Sequence, residues 1–289
     1  MEKRKMNRLL VLSFVLASLL ACSSGTDSVD DEPDLPTLVL NTGKLRSVDG
    51  GQLHIAYTYD TQGKVIAFEQ HDSSGLYVRK CLADYLYEDG RIFIRYHEFE
   101  ELSNGKHNPD YQDVVRHDTL FVVGNKADSC AGAIEKGTCF FYKFGYDDQG
   151  RLISIKDDNI MRNSKGKLQE KAWYTERILL TWENGNITKR TAVMSNRRDT
   201  VEWHYAYSPL IGSLVVSEPR NFLEDFTPLI SEGYFGVSCK NLLQRIEVSG
   251  NVWQNEYELD ASQLVKTVKT TVTNRDDRGM LEYNIHWNN

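Results

Sequence analysis

The chain lacks the short motifs by which catalytic sites are most readily recognised. It has no Gly-x-Ser-x-Gly elbow, no His-Glu-x-x-His zinc motif and no glycine-rich phosphate loop. Its cysteines do not have zinc-site spacing, and no segment carries the alternating oxygen ligands of a calcium loop. The sequence therefore predicts no catalytic residues, no metal and no cofactor, and it makes an enzyme the less favoured class.

Clusters of positive charge are also missing beyond the first eight residues. The full chain of 289 residues has a net charge of −7. Removal of residues 1–21 would leave 30 basic and 40 acidic side chains, a net charge of −10. A protein this acidic, with no Lys/Arg-rich run, has no electrostatic footprint for nucleic acid.

The N-terminus has the pattern of an exported lipoprotein. Four basic residues precede an apolar run from Leu9 to Leu20, which is too short for a membrane-spanning helix of about 20 residues. The run ends in Leu19-Leu20-Ala21-Cys22, which resembles the bacterial lipobox. The resemblance implies cleavage before Cys22 and acylation of that cysteine, so that the acyl chains (palmitate among them) anchor the protein to a membrane.

Composition divides the remaining chain into two parts. Residues 22–38 are small, acidic and proline-containing, which predicts a disordered tether behind the signal peptide of residues 1–21. Residues 39–289 are long enough for one large all-β domain.

A hairpin phrase recurs within this domain. Tyr-x-Tyr-Asp-x-x-Gly-Lys/Arg, followed by aliphatic residues, occupies residues 57–66 and, with Phe in first place, residues 144–153. Shorter forms occur at residues 85–92 and 180–187. Apolar and polar residues alternate with period two on either side, which indicates strands. We therefore predict an antiparallel meander of hairpins that forms a strongly curved sheet or a barrel-like domain.

Glycine marks the predicted turns. Asp89-Gly90 and Asn184-Gly185 are typical of two-residue turns with positive φ. In Asp60-x-x-Gly63 and Asp147-x-x-Gly150 the aspartate is expected to accept hydrogen bonds from the following backbone. The turn glycines Gly63, Gly90, Gly150 and Gly185 are expected to adopt the left-handed conformation.

The exported chain retains four cysteines besides Cys22. Cys130 and Cys139 flank a small polar segment between two apolar strands, which suggests a disulfide in an oxidising compartment. Two free thiols are the alternative. Whether Cys81 pairs with Cys239 stays open.

The C-terminal part carries a family resemblance. Residues 203–209, 233–243 and 257–260 look like the Bacteroidetes lipoprotein family named "domain of unknown function 4595", described as porin-like in fold. The hairpin phrase more weakly resembles the tyrosine–aspartate repeats of Rhs-type shells. The family resemblance implies a porin-like fold and an outer-membrane address, facing the periplasm or the cell surface. Residues 260–263 lack the repeat's glycine, which leaves that turn type open.

The predicted barrel is expected to be water-soluble. Membrane-spanning strands need an apolar lipid-facing side, whereas residues 91–101 carry charged side chains on both faces. The acid pair Asp157/Asp158 is interpreted as solvated turn residues. Trp203, Tyr205 and Tyr207 would share one strand face, which suits either core packing or contact with a sugar ring or an acyl chain.

These observations favour a non-catalytic binding or structural module of the cell envelope. The possible ligand is a glycan or a lipid, and no oligomeric state is implied. The alternatives are a carbohydrate-active hydrolase, which would need a pair of buried acids in a cleft, and a lipid-chain carrier, which would need an apolar cavity.

Overall fold

The computed structural model describes residues 44–74, 76–134, 139–160, 174–195, 200–212, 214, 219, 226–274 and 278–288. The predicted signal peptide, tether and lipidated Cys22 lie outside this part of the chain. Among the described residues, no helix is long and apolar enough to cross a membrane.

Sixteen antiparallel strands form a closed barrel. The strands are β1 (Lys44–Gly50), β2 (Leu53–Tyr59), β3 (Val65–Ser74), β4 (Tyr77–Glu88), β5 (Arg91–Leu102), β6 (Val114–Val123), β7 (Lys126–Ile134), β8 (Cys139–Tyr146), β9 (Leu152–Ile160), β10 (Tyr174–Glu183), β11 (Asn186–Met194), β12 (Thr200–Ile211), β13 (Asn241–Val248), β14 (Asn251–Leu259), β15 (Val265–Thr273) and β16 (Arg278–Asn288). Each strand pairs with the next, and β16 pairs with β1. The predicted all-β meander is confirmed, and it closes into a barrel, which removes every sheet edge.

The period-two pattern determines which side chains enter the barrel. In β2, Ile55 and Tyr57 are buried while Thr58 is exposed; in β5, Ile92 and Ile94 are buried while Arg95 is exposed. Successive residues of a strand point to opposite faces, so one face of every strand lines the interior.

The two ends of the barrel differ in their connections. At one end, here called the turn end, six tight turns or short loops and one long connection join the strands, and β1 begins and β16 ends there. The other end, here called the loop end, includes the connection of residues 103–113 between β5 and β6. The hairpin phrase recognised in the sequence therefore marks a single end of the barrel.

The two Asp-x-x-Gly turns share one hydrogen-bond pattern. Asp60 Oδ1 accepts from the backbone N–H of Gln62 (2.9 Å) and Lys64 (2.8 Å). Asp147 does the same with Gln149 and Arg151 at 3.0 and 2.9 Å. Positive φ values are found at the glycines of both these turns and the two-residue turns: 78° at Gly63, 68° at Gly90, 75° at Gly150 and 81° at Gly185.

The turn without glycine has the same geometry. Asp260 Oδ1 accepts from the N–H groups of Ser262 (2.7 Å) and Leu264 (3.0 Å). Gln263 takes the position of the missing glycine with a φ of 64°. The aspartate therefore fixes this turn, and a non-glycine residue occupies the left-handed position.

In seven of the eight hairpins whose first strand is odd-numbered, an aromatic side chain links the two strands at the turn end of the barrel. In each, the second strand ends in an inward aromatic residue whose O–H or N–H donates to a carbonyl at the start of the first strand. These seven residues form the aromatic collar; the donors and their acceptors are Tyr59 to Leu45, Tyr87 to Val65, Tyr146 to Ala127, Trp182 to Leu152, Tyr207 to Ile187, Tyr257 to Leu243, and Trp287 to Val265. The exception is the β5–β6 hairpin, where Val122 stands at this position.

The part of the β12–β13 connection that follows residue 225 fills the barrel at the turn end. It contains the helix α1 (Thr227–Ser231), with Pro228 in its first turn, where proline is tolerated. Residues 226–240 form the plug. Phe226 lies 6.1 Å from Tyr142 and Phe235 lies 5.1 Å from Phe144, measured between ring centroids, and both aromatic partners are inward residues of β8.

Backbone hydrogen bonds tie the plug to the turns. Ala127 N–H donates to Tyr234 O (2.7 Å), Val237 N–H to Gly150 O (3.2 Å) and Lys240 N–H to Gly185 O (2.9 Å). A Cβ atom on Gly236 would lie only 2.3 Å from the Gly150 carbonyl oxygen. The plug and the hairpin turns are therefore one packed unit.

Candidate functional site

The aromatic strip singled out in the sequence faces the barrel interior and is packed there. Tyr205 is only 9% exposed, and the Tyr207 hydroxyl donates to Ile187 O (2.7 Å). The Arg190 guanidinium lies 4.0 Å from the centre of the Trp203 ring. All three aromatic residues thus pack against other parts of the protein.

The strand register does not permit the predicted disulfide between Cys130 and Cys139. Cys130 lies opposite Tyr142 and Cys139 lies opposite Ala133, so the cysteines are offset by three residues along the paired strands. Three residues of strand span about 10 Å, whereas the Cα atoms of a disulfide lie about 4.4–6.8 Å apart. The bridge is not formed, and both side chains are buried.

A cavity of about 340 Å³ lies inside the barrel. Its wall comes from β1–β3, β13–β16 and Thr227 of the plug. Nine of the thirteen lining residues are apolar or aromatic, including Leu53, Phe68, Trp253, Val268, Tyr283 and Ile285. Since Leu53 and Trp253 stand near the loop-end termini of their strands, the cavity extends from the plug towards the loop end.

The four polar lining residues are uncharged. They are Gln70, Thr227, Asn255 and Thr270. Asn255 is already bonded, because its Nδ2 donates to Leu243 O (3.0 Å) and its Oδ1 accepts from Thr270 Oγ1 (2.8 Å). In the described part of the chain, no hydrogen bond is found for the Gln70 amide, so it can serve a ligand. The arrangement suits a mostly apolar ligand with few hydrogen-bonding groups.

Burial and a nearby charge perturb one lining residue. Tyr283 has a raised pKa, first because it is buried and second because the Asp72 carboxylate is near. Asp72 lies on β3 directly opposite Leu53 of the cavity wall. The loop-end rim of the cavity therefore carries the Asp72 carboxylate, with the Arg79 guanidinium directly opposite it on β4.

A pair of acids occupies a different part of the interior. Asp157 and Glu176 are directly opposite each other on β9 and β10, on the same face as the buried Ile155 and Ile178. Burial, together with the charges of Glu176 and Asp158, raises the pKa of Asp157 to about 6, against a hydrogen bond from Asn159 that lowers it. Asp158 points outward and bonds Lys156 and Thr175. The interpretation of Asp157 and Asp158 as turn residues was wrong, because both belong to β9.

The sequence contained a usable signal for these interior polar groups. Asn255 falls between Trp253 and Tyr257 in a period-two pattern, and Asp157 is two residues from Ile155. A polar residue at a position where the period-two pattern predicts an inward apolar residue indicates that the barrel interior carries polar side chains. The aspartate pair hid this signal because only one of the two faces inward.

Comparison with known proteins supports the fold. No family model and no curated protein matches the chain, so the resemblance to the lipoprotein family is not confirmed. A porin-like protein from Bacteroides uniformis superposes with a TM-score of 0.54 at 13% identity, covering 88% of this chain and 100% of that one. A porin-like protein from Bacteroides vulgatus gives a TM-score of 0.54 at 12% identity, covering 85% and 99%. At these identities the likeness concerns the fold alone.

Proposed function

We propose that the chain is a lipid-anchored cell-envelope protein whose barrel is a water-soluble, non-catalytic binding module. The observation that carries the binding function is the interior cavity of about 340 Å³, which the plug bounds on the turn-end side. Small-molecule pockets commonly measure about 300–1,000 Å³ and are mostly apolar with a few polar groups. The cavity has both properties, which favours an apolar chain over a glycan as its occupant.

Charges on the outer face support solubility. Ion pairs lie along the outer wall, as between Lys143 and Asp128 (2.6 Å), Lys269 and Glu258 (2.6 Å), and Lys189 and Glu202 (3.2 Å). Arg95, also outward-facing, lies in the middle of β5. An outward arginine or lysine near the middle of a bilayer costs about 2–4 kcal/mol. A barrel with such a wall is expected to stay in water.

A fluorescence titration tests the binding function. The probe is N-phenyl-1-naphthylamine, an uncharged apolar dye that emits strongly only outside water. We expect saturable binding at one site and weaker binding in Leu53→Trp, since the larger indole would narrow the cavity. Thr58→Trp, exposed on the outer face of the same strand, is the control and is expected to bind normally. Equal binding by both variants would contradict the proposal.

The anchor has an independent test. Cys22→Ala removes the residue that the lipobox would acylate. We expect wild-type protein from bacterial membranes to partition into the detergent phase of a Triton X-114 separation and the variant to remain in the aqueous phase. If both partition alike, the anchor is wrong, whatever the barrel binds.

A carbohydrate-active hydrolase is a second candidate because of Asp157 and Glu176. Directly opposed strand residues have Cβ atoms about 4.5–5.5 Å apart, and retaining glycosidases hold two carboxyl groups about 5–5.5 Å apart. Asp157 would protonate the leaving oxygen while Glu176 attacks the sugar carbon, and water would then release the sugar from Glu176. Hydrolysis of 4-nitrophenyl glycosides that Asp157→Asn abolishes and Asp158→Asn retains would support it. Absence of turnover by the wild-type protein across the panel would exclude this candidate.

A further inference from the structure

The inward charges at the loop end are predominantly negative. They are recognised by register, because each shares a strand face with buried core residues. Among the described strand residues, six carboxylates and three guanidiniums point inward, and no lysine does: Asp72, Glu98, Glu100, Asp118, Asp157 and Glu176 against Arg79, Arg116 and Arg190. The interior beside the cavity therefore has a net charge of −3, inside walls of low dielectric constant that concentrate its field.

The three guanidiniums are already engaged by the protein. Arg116 Nε lies 2.9 Å from a carboxylate oxygen of Asp118, whose side chain is inaccessible to solvent. Arg79 Nε lies 3.7 Å from Glu98 Oε1. Arg190 stacks on Trp203. An anionic ligand group entering here would find no uncommitted arginine among these three.

Asp72 is the carboxylate placed nearest the cavity. It lies between Leu53 of β2 and Arg79 of β4, whose guanidinium pairs with Glu98 instead, and it is close enough to Tyr283 to raise the pKa of that lining residue. Its side chain is exposed, and no hydrogen bond or ion pair to it is found within the described residues. The cavity itself is lined by uncharged residues, where a ligand charge would be desolvated without a partner. A ligand's charged group must therefore lie outside the cavity, at the rim beside Asp72.

We propose that the ligand of the cavity is a cationic amphiphile, with its alkyl chain among the apolar lining residues and its ammonium group at the rim against Asp72. This inference rests on the proposed binding function and names the ligand class of that site. The acidic interior attracts the cation during entry and repels anionic amphiphiles such as fatty acids. Because the attraction acts between partly solvated charges, it weakens as salt screens it.

Three probes with the same twelve-carbon chain and different head groups test the charge preference. Dodecyltrimethylammonium, dodecyl maltoside and dodecyl sulfate compete with N-phenyl-1-naphthylamine below their micellar concentrations. We expect the cation to bind at least tenfold more tightly than the anion in 20 mM salt, with the ratio shrinking in 500 mM salt. Asp72→Asn should weaken cation binding at least threefold and leave the maltoside unchanged.

Two control variants separate the rim from the overall charge of the protein. Asp84→Asn removes an exposed carboxylate from the outer face of β4 and is expected to leave all three affinities unchanged. Leu53→Trp should weaken binding of the cation, whereas adsorption to an acidic surface would be unaffected by it. Equal affinity for cation and anion, or an equal effect of Asp72→Asn and Asp84→Asn, overturns this inference while the binding function stands. Failure of all three probes to bind overturns the binding function and the inference with it.

Discussion

At the turn end of the barrel, apolar side chains and the plug fill the interior, whereas at the loop end the described inward positions of the same strands carry six carboxylates and three guanidiniums. The turn end also satisfies its polar groups internally, since the aromatic collar donates to strand carbonyls and the plug bonds to the turns. One hairpin repeat has thus produced a packed half and a polar half. Buried charges stabilise a fold poorly, so we expect the packed half to supply most of the stability of the barrel. The polar half can then accommodate a ligand.

Truncating a large side chain at each end should give the largest contrast. Phe235 of the plug is 0% exposed, and Leu281 at the loop end is 46% exposed. We expect Phe235→Ala to lower the free energy of unfolding by about 3–5 kcal/mol and Leu281→Ala by about 1 kcal/mol or less, as measured by urea denaturation. Similar losses would mean that the two halves are equally packed.

Gly105 and Gly236 have the same φ of 78°, so the same substitution to alanine at each allows the two ends of the barrel to be compared. A Cβ atom on Gly236 would meet the Gly150 carbonyl, whereas nothing lies within 4 Å of the same atom on Gly105 in the loop-end connection. We expect Gly105→Ala to cost about 1 kcal/mol of left-handed strain and Gly236→Ala to cost at least 1 kcal/mol more. Equal costs would show that the plug can move away from the turn.

Removing single hydroxyl groups should lower the free energy of unfolding more at a residue of the aromatic collar than at a neighbouring buried tyrosine. Tyr207 donates to a strand carbonyl, so Tyr207→Phe should cost about 1 kcal/mol. In the described structure the buried hydroxyl of Tyr57 has no hydrogen-bond partner, and burial raises the Tyr57 pKa. Tyr57→Phe is therefore expected to be neutral or slightly stabilising in the same denaturation assay, and a loss as large as that of Tyr207→Phe would contradict this assignment.

The acid pair predicts a small pH effect at the loop end. Burial raises the Asp157 pKa to about 6 in the folded protein, above its value of about 4 in an unfolded chain. The folded state therefore holds this proton more tightly, so the contribution of Asp157 to stability falls as the pH rises from about 4 to 6 and stays low above that.

Asp157→Asn is accordingly expected to raise stability relative to wild type at pH 7 more than at pH 4. Asp158, the neighbouring outward residue, should contribute to stability with the opposite pH dependence. Although slight burial raises its pKa, hydrogen bonds from Lys156 and Thr175 outweigh that effect and lower it. Asp158→Asn should therefore lower stability at pH 7 more than at pH 3, and identical pH profiles for the two variants would contradict the assigned faces.

The strands and turns could be predicted because their causes are local. Asp60 and Asp147 make hydrogen bonds within their own turns, and alternation along β2 or β12 depends only on neighbouring residues. Four copies of the hairpin phrase were recognised, but the collar has seven members, since Tyr207, Tyr257 and Trp287 fulfil the same role without the full phrase. The aromatic donor is therefore the more constant part of the repeat.

The candidate site could not be predicted to the same extent because its parts are distant in sequence. Gln70 and Asn255 line one cavity although 185 positions separate them, and they meet only because β16 closes on β1. The disulfide prediction failed for the related reason that spacing along the chain does not give the register of a hairpin. Likewise, the adjacent residues Asp157 and Asp158 could not be assigned to opposite faces until their strand was known.

The sequence by itself determined the strand alternation, the turns and an N-terminus with a lipobox pattern, because each depends on interactions within a few residues. Tertiary structure alone decided the closure of sixteen strands, the entry of the plug into one end and the placing of an uncharged cavity beside an acidic interior. The physical reason is that a strand's period of two specifies two faces without specifying which residues of other strands share the enclosed one. Only closure of the barrel brings those distant residues together and excludes water from among them.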